Sequence, residues 1–142
     1  MRNADRYPFI AADVALGEAS FRPHLPLTLV HQQQSVITSD LLDTGATVNV
    51  LPYRVGIELG YRWENQTTFL NLTGNLAQYE ACALVVQAVI GQFEPIQLVF
   101  AWTRATEAPL LLGQVNFFME FDVCFYRSQL YFEISPKVST SE

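Results

Sequence analysis

Positive charge is scarce in this chain. Its 142 residues hold eight Lys and Arg against fourteen Asp and Glu, a formal net charge of −6, and the basic residues stand singly. Nucleic-acid binding draws its affinity from clustered Lys and Arg, so nucleic acid is excluded as a partner. Charge of either sign makes only 15% of the composition while apolar residues make half of it, which rules out a disordered chain. Cysteine is limited to Cys82 and Cys124. Two cysteines beside this much apolar content do not make a disulfide scaffold, and both lie in strand-like apolar runs, where buried free thiols are expected. Together with His24 and His31 they show no metal-ligand spacing, so neither a metal nor another cofactor is expected. The start of the chain leads into no long apolar run, and no stretch is apolar enough to span a bilayer. The expected setting is therefore the cytoplasm, without membrane contact.

What is present reads as one all-β domain. Leu25, Leu27 and Leu29 alternate with Pro26, Thr28 and Val30, giving a strand with one buried face. Pro23 and Pro26 confine that strand to an edge or to its own beginning. The polar run His31-Gln32-Gln33-Gln34 turns the chain back into an apolar stretch from Val36 to Leu42. Pro52 is suited to the first position of a short helix, which Gly60 would stop. Thr73-Gly74-Asn75-Leu76 has the chemistry of a tight hairpin, followed by a long strand from Tyr79 to Gly91 and another from Phe93 to Phe100. Gln114 to Phe121 is helix-capable, with Val115, Phe118 and Phe121 on one side. Asp122 to Tyr126 and Gln129 to Ile134 form a last hairpin. Residues 1–20 are weakly patterned and are expected to be an N-terminal arm, flexible or completing another subunit's sheet. The domain proper is expected at residues 21–135, with a polar tail at 136–142. Short strands with turn signals every eight to twelve residues indicate a barrel or sandwich.

The chemistry concentrates at Leu41-Leu42-Asp43-Thr44-Gly45-Ala46. An apolar strand ends there on a carboxylate, a hydroxyl and a glycine. Asp43 and Thr44 can bond local amides, and Gly45 permits a sharp bend or a close backbone approach. An Asx-turn closing an ordinary strand would use the same residues. About seventy residues later comes Leu111-Leu112-Gly113, with the glycine-tipped hairpin at Gly74 and Asn75 in between.

That order, from roughly Arg22 to Ile134, resembles the monomer of retropepsin-like aspartic peptidases. The resemblance implies a closed acid-protease barrel with one or two short helices, a half-site that needs a second copy. It implies an endopeptidase acting on polypeptide substrates through water activated by Asp43 and the Asp43 of its twin. The other aspartates, Asp5, Asp13, Asp40 and Asp122, lack the Thr-Gly sequel, and strand alternation puts Asp40 on the face opposite Asp43. The resemblance gives Thr44 a bond across the dimer axis and leaves Gly45 and Ala46 to admit the substrate backbone. Gly74 and Asn75 become a flap tip, Leu111 a pocket wall, and Leu112 and Gly113 the packing beneath the loop. Retroviral members carry an Asp and an Arg near Thr47 and Gln114; both are missing here. Their joint loss implies a cellular or bacterial type of relative. The competing reading is a module of the same fold that binds peptides or dimerises without catalysis.

Overall fold

Alternating burial builds most of the molecule, whose computed structural model describes residues 3–72 and 79–138. Strand β4 (His24–His31) buries Leu25, Leu27 and Leu29 and turns through Gln32 and Gln33 into β5 (Gln34–Leu42). Gln32 takes the positive φ (54°) that so short a turn requires. The two strands pair antiparallel from His24 opposite Leu41 to His31 opposite Gln34. Strand β6 (Asn49–Pro52) lies parallel to β9 (Ile96–Thr103), and β9 is antiparallel to β8 (Glu80–Val89). The two-residue β10 (Leu111–Leu112) sits between β5 and β6. The ring closes because Thr28, Leu29 and Val30 also pair with residues 87–89 of β8. The result is a closed six-stranded barrel, with β7 (Phe69–Asn71) added on β8.

Closure removes the edge position for β4 and leaves the other expected placement, proline in the opening part of the strand. Its proline half is indeed free on one side, but beyond Pro26 every residue has an N–H to give, and the second half is used on both sides. The strand expected from Phe93 starts three residues later, since Phe93 belongs to the preceding turn and bonds Ile90 O at 3.0 Å.

Leu51, Leu84, Leu98, Phe100 and Trp102 fill the barrel completely buried, each contributing about 1.5–3 kcal/mol of transfer free energy. Helix α1 (Tyr53–Glu58) packs across one end, with Pro52 as its N-cap rather than its first helical residue. The Trp102 indole rests on Gly56, where a Cβ would come within 2.3 Å of the ring, and its Nε1 donates to Tyr53 O at 3.0 Å. Gly60 then ends the helix at φ +93°.

Residues 1–20 do not behave as a free arm where they are described. Strand β1 (Asp5–Pro8) pairs with β12 (Tyr131–Pro136) of the same chain, and β12 pairs with β11 (Phe121–Tyr126). Aromatic burial is the cause: Tyr7 stacks on Phe132 at 5.6 Å and Phe9 meets it edge-on at 6.1 Å. Strands β2 (Ile10–Ala11) and β3 (Phe21–Arg22) close a loop whose Asp13 caps Ala15 N. Pro136, assigned to the tail, still pairs with Phe121. Helix α2 is a single turn, Phe117–Glu120, and its buried side is Phe117 with Phe121, not Val115, which is exposed. Neither Cys82, which is buried, nor Cys124, which is half-buried, is in a disulfide. No described helix is long and apolar enough to cross a membrane.

Candidate active site

Asp43 stands immediately after β5, held by bonds on both sides. Its N–H donates to Leu112 O at 3.0 Å, extending the parallel pairing of Leu41 and Leu42 with Leu111 and Leu112. Its Oδ1 accepts the Gly45 N–H at 2.9 Å, and its carbonyl accepts the Ala46 N–H at 3.0 Å. These two contacts make the tight turn anticipated from the Asp-Thr-Gly order. Asp43 is half-buried, and Thr44 and Gly45 are exposed. The Thr44 hydroxyl has no partner among the described residues.

A second layer holds the loop from beneath. Gln114 N donates to Ala46 O at 2.9 Å, Val115 N to Thr47 O at 3.0 Å, and Asn49 N to Val115 O at 2.9 Å. The Gln114 side chain donates from Nε2 to Thr44 O at 2.9 Å, a neutral clamp on the loop. Gly113 lies so close to the loop backbone that a Cβ would stand 2.5 Å from Val48 O and 2.7 Å from Ala46 O. Its N–H donates to Asn49 Oδ1 at 2.8 Å.

The fully buried Asn49 also donates to Val99 O and to Asn116 Oδ1, at 3.0 and 3.1 Å. Asn116 in turn accepts from Val99 N and donates to Gln97 O, both at 3.0 Å. This amide pair ties the loop support to β9, and every donor and acceptor it uses is satisfied. Sequence reading missed it. The available signal was Asn49 itself, one polar residue inside the run Val48 to Leu51.

Of the expected site residues, the structure brings together Asp43, Thr44, Gly45, Ala46, Leu111, Leu112 and Gly113. Leu112 is completely buried under the loop, while Leu111, opposite Leu41 and Val50, is half-buried. Gly74 and Asn75 lie outside the described residues. Among the described residues no cluster of His, Cys, Asp and Glu could hold a metal ion.

Asp40, three residues before Asp43, is an unanticipated feature. It is fully buried opposite Leu25, and neither carboxyl oxygen has a hydrogen-bond partner among the described residues. Burial pushes its carboxyl up to about 7. The Thr38 hydroxyl two residues earlier pulls weakly the other way without forming a well-shaped hydrogen bond.

Comparison with known proteins agrees with this geometry at the level of fold. No protein-family model matches the chain, and no curated protein sequence does. Among solved structures, a retropepsin-like aspartic protease from Rickettsia conorii superposes with a TM-score of 0.60 at 12% identity. The match covers 93% of this chain and 91% of that one. An all-β barrel of this topology, likened over nearly its whole length, has the retropepsin-like fold.

Proposed function

We propose that this chain is an aspartic endopeptidase that works as a homodimer, with Asp43 from each copy facing across a two-fold axis. The observation that carries the reading is the Asp43-Thr44-Gly45 turn, mounted on Leu112 and Gly113 with Thr44 exposed and its hydroxyl free to reach a twin. One chain supplies one such loop, and a two-fold axis presents identical loops to one another. Like charges held that close do not both ionise, so the pair retains a single proton. The ionised carboxylate takes a proton from water as its oxygen attacks the peptide carbonyl carbon. The protonated carboxyl gives its proton to the carbonyl oxygen. A proton then passes to the amide nitrogen as the C–N bond breaks and the two carboxyls return to their starting state. In this reading Gly45 and Ala46 admit the substrate backbone and Leu111 lines a side-chain pocket.

The non-catalytic alternative, a peptide-binding or dimerising module of the same fold, leaves Asp43 without a chemical task. Asp43→Asn separates the two. The expected result is loss of cleavage of a peptide library with the dimer intact by sedimentation; undiminished cleavage by the variant overturns the proposal.

A further inference from the structure

The chain has few cations, and five of the seven described are in hydrogen bonds or ion pairs. Arg6 binds Glu133 with its Nε and Nη2, at 3.1 and 2.9 Å. Arg22 donates to Ala19 O and Phe21 O, and Arg127 to Glu18 O. Arg62 lies 3.6 Å from Glu64, and Lys137 lies 3.3 Å from Glu120. Arg54 and Arg104 differ: neither makes a hydrogen bond or ion pair with another described residue. Both line the same cavity of about 430 Å³, together with Pro52, Tyr53, Thr106 and Glu107.

Arg104 is nevertheless held in place. Its guanidinium lies 4.5 Å from the centre of the Trp63 ring and 5.7 Å from that of Tyr53. Such contacts draw on the charge of the cation and consume none of its N–H donors. A fixed fork with free donors is the arrangement that binds a carboxylate. The third charged group in the lining, Glu107, pairs with neither arginine and brings the lining to a net charge of one. That balance suits a single carboxylate and disfavours a polyphosphate.

The cavity adjoins the strands that support the Asp43 loop. Pro52 ends β6, whose Val50 is paired with Leu111. Ala108, which also lines the cavity, precedes Leu111 by three residues, a span of at most roughly 11 Å. On the peptidase reading, an extended peptide crossing the Asp43 loop covers such a span in about three residues.

We propose that Arg54 and Arg104 form a carboxylate-binding subsite that selects polypeptides carrying an acidic residue to one side of the cleavage point. This rests on the peptidase reading for its substrate, but not for its binding chemistry. The test uses two libraries of amidated peptides, identical except that one holds Glu wherever the other holds Gln. Binding to the full-length Asp43→Asn protein is followed by tryptophan fluorescence, since Trp63 touches Arg104. The Glu library is expected to bind roughly tenfold more tightly, the effect of one charge-assisted hydrogen-bond pair. Adding Arg54→Ala, or Arg104→Gln where loss of the aromatic contact must be limited, is expected to abolish the difference; Arg54→Lys should keep part of it. Equal binding of the two libraries, or a preference that survives both substitutions, overturns the subsite. If non-amidated Gln peptides bind as well as the Glu library, the ligand is a chain terminus and the side-chain assignment is overturned. Cleavage by the native protein without Glu preference overturns the subsite and leaves the peptidase standing. Arginine-dependent Glu binding without any cleavage overturns the peptidase and leaves the subsite.

Discussion

Replacing Asp40 with asparagine is expected to flatten the dependence of stability on pH. In the folded chain this carboxyl is raised from 3.8 to about 7 by burial without a hydrogen-bond partner. Between these values the native state holds a proton that the unfolded state has released, so the contribution of Asp40 to stability is greatest below about pH 4 and is lost as pH rises to 7. The full difference corresponds to about 4 kcal/mol, and the portion between pH 5.5 and 8 to about 2 kcal/mol. For a chain of this size, that portion moves the melting temperature by roughly 6–8 °C. No charged group contributes to the raised value; Thr38 is the only side chain that modifies it. The assay is urea unfolding at fixed protein concentration and several pH values, with the buried Trp63 and Trp102 as reporters. The native protein should lose about 2 kcal/mol more than Asp40→Asn from pH 5.5 to pH 8. Asp40→Leu, which also removes the unsatisfied polar atoms, should be the most stable of the three at pH 8. Parallel profiles for the native protein and the Asp40→Asn variant would refute the reasoning.

Three further outcomes follow from the site and its supports. Asn116→Ala leaves Asn49, Val99 N and Gln97 O each short of a partner. It should cost about 2–3 kcal/mol in unfolding experiments and lower kcat more than it changes KM. Gly113→Ala drives a methyl into Val48 O and Ala46 O; peptide cleavage should be lost even where circular dichroism shows a folded chain. Gly56→Ala collides with the Trp102 indole rather than with the loop, so it should lower stability by about 1–3 kcal/mol while cleavage at low temperature persists.

Legibility from sequence tracked how local the deciding interactions were. The Asp43 turn closes through residues two and three apart, so the turn was readable in the chain order. The alternation of Leu25, Leu27 and Leu29 similarly exposes the buried face of β4. Pairing β4 with β8 was not readable, because it joins residues about sixty apart and uses the half of the strand without proline. The fate of residues 5–8 depended on Phe132, at the other end of the chain. Asn49 and Asn116 are 67 residues apart and carry no spacing that announces a pair. Of the face assigned to helix α2, Phe118 and Phe121 do pack on the core, but Val115 is exposed. Phe117, stacked on Phe121 at 5.1 Å, was missed because a single turn has no periodicity to measure. Asp40 shares the buried face of β5 with Thr38 and Leu42, yet nothing local told that this face was the sealed interior.

The claim on which the account rests is that two copies of Asp43 make one reactive centre. The most direct measurement mixes native protein with Asp43→Asn at constant total concentration, allows the subunits to exchange, and follows peptide cleavage. A shared centre predicts that activity falls as the square of the native fraction, to about a quarter at equal mixing. Activity that falls in simple proportion, to about half at equal mixing, would show that each chain works alone and would contradict it.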